Sequence, residues 1–202
     1  MKTKSLGYEI LFTALVLVII AGVAGGILGF VHHFTEVDPE ELVARKASAV
    51  YDGALMSMPL REGIGQAVSY DESGKVIGVY VPKNSEIKDV YVICAEGVGA
   101  YKGTLKILVN ITRGKIVSMA KYEADETPGL GSKALEESYF KQYYGKEITS
   151  DFSGYKLVKN APVSSDEVKA VSGASKSSTA VTNAVNAAIK WYREAVLKGG
   201  AR

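Results

Sequence analysis

The apolar residues divide the chain into one long uncharged run and a region of short, alternating segments. No charged residue occurs between Ile10 and Val31, and a helix of that length covers the membrane hydrocarbon core, which is about 30 Å thick. We therefore predict a membrane-spanning helix over residues 10–31. A cleavable signal peptide is the alternative, but its apolar region is shorter and no Ala-x-Ala site follows here.

Downstream of residue 75 the apolar positions recur with a period of two, which indicates strands with one buried face. The clearest run places Leu105, Ile107, Val109 and Ile111 at alternate positions. Arg113-Gly114 then turns the chain into a partner strand, so this region predicts an antiparallel hairpin. Strands are expected at residues 76–81, 90–95, 105–111, 115–121 and 155–158.

Three segments have helical spacing instead. Residues 38–51 begin with Asp38, Pro39 and two acids, which is typical of a helix N-terminus. We interpret this helix as a stalk, with Arg45 and Lys46 on a solvated face. Helical spacing also covers residues 132–144. The longest helix is expected at residues 177–197, and its apolar face consists of Val181, Ala184, Val185, Ala188 and Ile189.

This succession predicts an α+β fold with a mostly antiparallel sheet and flanking helices. Lys2 and Lys4 precede the span and acids follow it, so the positive-inside rule predicts a cytoplasmic N-terminus and an extracytoplasmic domain. The expected organisation is a cytoplasmic N-terminus at 1–9, a membrane helix at 10–31, a stalk helix and linker at 32–62, and the outer domain at 63–202.

Composition excludes several classes of site and suggests one kind of partner. With 24 basic and 22 acidic residues, the chain has no basic excess to bind nucleic acid. Cys94 is the single cysteine and is expected to be a small buried residue. The adjacent His32 and His33 point in different directions on a helix, so we interpret them as polar caps. Glycines four residues apart, such as Gly22 and Gly26, would let another membrane helix approach.

The most distinctive chemistry is the hydroxyl-rich turn Val-Ser-Gly-Ala-Ser-Lys-Ser-Ser-Thr at residues 171–179, which runs into the last helix. Gly173 and Ala174 allow a ligand to approach the backbone closely. The unpaired N–H groups and the positive dipole end of a helix favour an anion such as phosphate. Serine and threonine are also ordinary N-cap residues, so a capped helix without a ligand is the alternative.

A second segment, Glu-Thr-Pro-Gly-Leu-Gly at residues 126–131, lies upstream of this turn. Together the two segments resemble the FMN-binding domain of the G subunit of the Rnf ferredoxin:NAD oxidoreductase and of the C subunit of the sodium-pumping NADH:quinone reductase. The resemblance extends over the span and nearly all of residues 63–202, including a glycine turn at Gly97, Gly99 and Tyr101. It implies a covalent FMN, linked through its phosphate to a hydroxyl.

The resemblance also implies a set of cofactor-binding residues. Ser175 takes the acceptor position, where threonine is commoner, and supplies an equivalent hydroxyl. Glu126, Thr127 and Leu130 would contact the isoalloxazine ring and ribityl chain, and Lys159 stands where a basic residue approaches the flavin. The set is completed by Ser172, Gly173, Ala174, Lys176, Ser177 and Ser178. One residue departs from the family, because Lys169 replaces an Asp associated with the flavin transferase that loads FMN.

By this resemblance the protein is an electron-transfer subunit of a membrane-bound, ion-translocating Rnf-like complex. It would carry one electron at a time and act as a carrier rather than an independent catalyst. Its implied partners are other membrane subunits, the flavin transferase and the lipid of the cell (inner) membrane. The alternatives are the C subunit of the sodium-pumping reductase, a stand-alone anchored flavoprotein, and an anchored binding module without flavin.

Overall fold

The uncharged N-terminal run forms a single helix, α1 (Leu6–Thr35). The computed structural model of the protein describes residues 6–35, 43, 45–58, 69–71 and 73–199, and contacts divide the chain into two units after residue 39. Within α1, the 24 residues Ile10–His33 form a stretch long and apolar enough to cross a membrane. All of these residues are exposed. This stretch includes 24 of the 30 residues of α1 and the whole of the predicted span.

An antiparallel sheet lies at the centre of the second unit, as the alternating pattern predicts. The strands lie side by side in the order β1, β3, β4, β5, β6, and β2 also pairs with β3. Their bounds are Leu55–Met58 (β1), Ser69–Asp71 (β2), Gly74–Pro82 (β3), Val90–Ala100 (β4), Gly103–Thr112 (β5) and Lys115–Glu123 (β6), and the helices are α2 (Glu137–Phe140) and α3 (Ser175–Tyr192).

Helix α3 covers one face of this sheet. The residues of its predicted apolar face are all buried, so that prediction is confirmed. Gly97 of β4 allows the close contact, because a Cβ at this position would overlap the backbone oxygen of Ala180. The expected glycine turn is therefore wrong in part. Gly97 and Gly99 lie within β4, and the chain turns at Tyr101 and Lys102.

The other face of the sheet is covered by residues that the sequence assigned to the stalk. Val43, Ala47 and Val50 are buried with a set from three strands: Leu55, Val92, Cys94 and Leu108. Lys46 donates a hydrogen bond to the backbone oxygen of Tyr122 at 3.0 Å instead of lying on a solvated face. The segment 32–62 thus contributes core residues and β1, while the predicted helix start at 38–41 lies outside the described residues.

The remaining segments are shorter than the sequence pattern suggests. The helix expected at 132–144 divides into a 3-10 turn (Gly131–Leu135), α2 and a second 3-10 turn (Lys141–Tyr143), because Glu136 adopts an extended backbone. Strand β7 (Lys156–Val158) pairs in parallel with β8 (Glu167–Lys169). Three residues are too few to establish an alternating pattern, so β8 was not predicted.

Candidate functional site

The N-terminus of α3 is left without a side-chain cap. The N-cap residue is Ala174, and among the described residues no side chain makes a capping hydrogen bond there. The hydroxyls bond backwards instead, Ser178 Oγ to the Ala174 oxygen at 3.0 Å and Thr179 Oγ1 to the Ser175 oxygen at 2.9 Å. The hydroxyl-rich turn therefore does not act as the ordinary helix cap that we considered as an alternative.

The first turn of α3 has backbone N–H groups that no helical hydrogen bond uses, and its first residues are exposed. Ser178 N–H donates to the Ala174 oxygen at 2.9 Å and closes the first helical turn. The N–H groups of Ser175, Lys176 and Ser177 precede this bond, so they belong to the helix end that favours an anion. Ser175 is the first residue of α3 and is exposed, which leaves its hydroxyl accessible to a ligand.

A buried hydroxyl holds the turn in front of α3. Ser178 is fully buried, and its Oγ accepts the N–H of Val171 at 3.0 Å while donating to Ala174. Gly173 has a φ of +79°, a conformation that glycine adopts at no steric cost. Ser172 is exposed on this turn. Ser178 and Ala174 therefore support the turn, and Ser178 offers neither its side chain nor its N–H to a ligand.

The second motif meets this turn through a direct hydrogen bond. Ser177 Oγ donates to Glu126 Oε2 at 2.8 Å, although the two residues are 51 positions apart. Gly131 makes room for this pair, because a Cβ at that position would overlap Glu126 Oε2 and lie 2.7 Å from Ser177 Oγ. The two segments that sequence analysis singled out thus form one site, and the carboxylate of Glu126 is held within it.

A cavity of about 370 Å³ opens between the two segments. Its wall contains seven of the predicted site residues, namely Glu126, Thr127, Leu130, Gly173, Ser175, Lys176 and Ser177. Lys159 does not line this cavity. It is exposed in the bend that follows β7, so its role stays a prediction. Two residues of the wall were not predicted, Tyr101 and Gly131. Both belong to glycine-containing segments noted in the sequence, and those segments were the features from which the two residues could have been predicted.

The residues of the cavity fit a phosphorylated, planar ligand. The first-turn amides and the Lys176 ammonium can bind phosphate, and the Ser175 hydroxyl lies in the same wall. Leu130 is 53% exposed and offers an apolar surface to a ring. Gly131 and Gly173 add no side chain to fill the space. The chemistry of the wall is therefore compatible with FMN, which combines a phosphate with a flat ring system.

Comparison with known proteins agrees with this assignment. Residues 100–190 match the family described as FMN-binding domain. The matched span begins at the end of β4 and ends within α3, so it includes both segments of the cavity wall.

Two relatives are named as components of a redox complex. The G subunit of the Na⁺-translocating ferredoxin:NAD⁺ oxidoreductase complex of Acetobacterium woodii is 26% identical over 96% of this chain and 98% of the relative. The G subunit of the proton-translocating ferredoxin:NAD⁺ oxidoreductase complex of Clostridium ljungdahlii is 31% identical over 59% of this chain and 64% of the relative. Among solved structures, Shewanella oneidensis NqrC aligns with 72% of this chain and 75% of its own, at 17% identity and a TM-score of 0.48.

Proposed function

We propose that this protein is the flavin-carrying, electron-transfer subunit of a membrane-bound, ion-translocating ferredoxin:NAD oxidoreductase complex. The observation that carries the proposal is the single cavity in which the Ser175 hydroxyl, the uncapped end of α3 and the Glu126 carboxylate meet. The names of the two relatives support the choice of complex. FMN supplies reversible electron transfer when bound, and the protein positions it and adjusts its potential.

The cofactor is held by a phosphoester to Ser175. In the loading step, catalysed by a flavin transferase, the Ser175 oxygen forms a bond to the FMN phosphorus of FAD. The phosphoanhydride bond breaks, AMP leaves and the hydroxyl proton is released. The exposure of Ser175 supports this choice over Ser177, which is only 2% exposed and already donates to Glu126. The helix dipole stabilises the bound phosphate by about 0.3–1 kcal/mol.

Intact mass of the full-length chain and of Ser175→Ala tests the attachment. We expect the wild-type chain to carry the added mass of one FMN less one water and the variant to lack it. Ser85→Ala is the control, since this serine is exposed between β3 and β4 and does not line the cavity, and it should retain the mass. An FMN mass that persists in Ser175→Ala would move the linkage elsewhere, and a wild-type chain that never gains it would refute covalent binding.

Lys169→Asp restores the family's acid and should raise the fraction of FMN-loaded chain.

The chain is anchored by α1 in the cell membrane, with its N-terminus cytoplasmic and residues 63–202 outside. The length and apolar surface of α1 support the anchor, and the lysines at positions 2 and 4 support the orientation. Protease added to intact spheroplasts should degrade the outer domain, whereas a cytoplasmic domain would survive.

Co-purification of further membrane subunits tests membership of the complex. A flavin-loaded chain that purifies alone would instead support a stand-alone carrier.

A further inference from the structure

Tyr101 is a large aromatic residue left open to the flavin cavity. It lies in the short turn between β4 and β5, where Ala100 pairs with Gly103, and 72% of its surface is exposed. A single exposed aromatic residue is ordinary. Here, however, Tyr101 and the half-exposed Leu130 both line one cavity, although they come from different segments of the chain. The cavity therefore has two apolar surfaces that no side chain of the described residues covers completely.

The turn that carries Tyr101 is joined to both segments of the site. Lys176 Nζ, next to the attachment serine, lies 5.6 Å from the centroid of the Tyr101 ring, within the range of a cation–π contact. Lys102 Nζ lies 2.6 Å from Asp125 Oδ2, one residue before Glu126. Exposed ion pairs contribute little stability, so we assign this pair to orientation. The Tyr101 ring is thus held beside the residues that would bind the phosphate.

We propose that Tyr101 forms the second apolar wall of the flavin cavity and contacts the isoalloxazine ring. The inference rests on the proposed function. A phosphate fixed to Ser175 leaves the ring system within reach of the same cavity, and Leu130 and Tyr101 are the large apolar side chains of its wall. Flat aromatic rings bind well against a tyrosine face or edge. Tyr101 is therefore a cofactor-contacting residue in the turn between β4 and β5, outside the segments 126–131 and 171–179.

Affinity for free FMN tests this contact without electron-transfer activity. The full-length chain with Ser175→Ala, in detergent, cannot be esterified at Ser175 and is titrated with FMN. We expect Tyr101→Leu to raise the Kd about tenfold, which is about 1.4 kcal/mol and lies within the range of a base–aromatic stacking contact. Tyr101→Phe should keep the affinity. Tyr122→Leu is the matched control. Like Tyr101, Tyr122 has a lysine over its ring, with Lys46 Nζ 4.4 Å from the centroid, but Tyr122 does not line the cavity.

A second measurement decides the question if free FMN binds too weakly to titrate. In the loaded chain, a tyrosine in contact with the ring quenches flavin fluorescence, so Tyr101→Leu should emit more strongly than wild type and Tyr122→Leu should not. Equal behaviour of Tyr101→Leu and Tyr122→Leu in the deciding measurement would overturn the inference and leave the proposed function intact. A loss of co-purifying subunits with unchanged flavin properties would overturn it in favour of a docking role. A wild-type chain without FMN refutes both proposals.

Discussion

Glycines of α1 and two glycines of the outer unit have opposite surroundings. In α1, a Cβ at Gly22, Gly26 or Gly29 would have nothing within 4 Å apart from the backbone of its own helix. In the outer unit, a Cβ at Gly97 or Gly131 would overlap a neighbouring atom. The outer unit uses its glycines at these two positions to bring its own segments together. Those of α1 leave an open surface, which would suit the close approach of another membrane helix.

The strongest test of this comparison is Gly97→Ala. The added methyl group would overlap the backbone oxygen of Ala180, and a helix backbone cannot move aside as a flexible side chain can. We expect a loss of about 3 kcal/mol in the free energy of unfolding, the upper range of overpacking. Thermal or urea unfolding of the full-length chain measures it. Gly26→Ala is the control and should leave the transition of the outer unit unchanged, whereas equal stability of both variants would contradict the packing argument.

Gly131→Ala should affect the cofactor more than the fold. Its methyl group would overlap Glu126 Oε2 and crowd Ser177 Oγ, but both are side-chain atoms that can move. We expect a cost of about 1 kcal/mol, together with a displaced Glu126 and a lower fraction of FMN-loaded chain by intact mass. Gly129→Ala, in the same loop but with open space around its Cβ, separates crowding from loop strain, since its positive φ strains the loop without a clash. If only Gly129→Ala lowered loading, the contact at Gly131 would be irrelevant to the site.

Leucine at both Gly22 and Gly26 tests the open surface of α1. Bulky residues four positions apart would keep a partner helix at a greater distance. The expected result is fewer co-purifying membrane subunits, with the unfolding transition of the outer unit unchanged. Ala24→Leu enlarges a position on the opposite face of the same helix and should have no effect. If the double variant co-purified with the same amount of the other subunits, Gly22 and Gly26 would have no role in assembly.

The smallest effect concerns the packed interior of the outer unit at high pH. Burial raises the pKa of the Cys94 thiol to about 12, from its ordinary value of 9.0. The unfolded chain therefore loses this proton first as the pH rises above 9, and the free energy of unfolding falls between pH 9 and 12. We expect a loss of about 1 kcal/mol at pH 10 from this group. Urea unfolding at pH 7 and pH 10 measures it, and Cys94→Val isolates it from tyrosines such as Tyr155, whose pKa is also raised by burial. An unchanged pH dependence in Cys94→Val would contradict it.

The local pattern of apolar residues was sufficient to predict the helices and strands that have a regular repeat of buried positions. The uncharged run predicts α1, and the alternation from Leu105 to Ile111 predicts β5, because a helix or strand repeats its buried positions with a fixed period. The pattern failed at Glu136, where one extended residue divides a helical segment. It also failed at β1, which the sequence placed in a linker. The stability of β1 comes from pairing with β3 and from the burial of Leu55, and neither is visible in four residues.

By itself, the sequence of this protein determined the apolar span, the antiparallel α+β sheet and the two short motifs that indicate a flavin. Only the tertiary structure decided which atoms of those motifs meet. The Ser177–Glu126 hydrogen bond, the overlap avoided at Gly131 and the contact of Lys176 with Tyr101 join residues that are far apart in the chain. Periodicity describes only neighbours along the backbone, so contacts of this kind depend on how β4, the loop after β6 and α3 pack together.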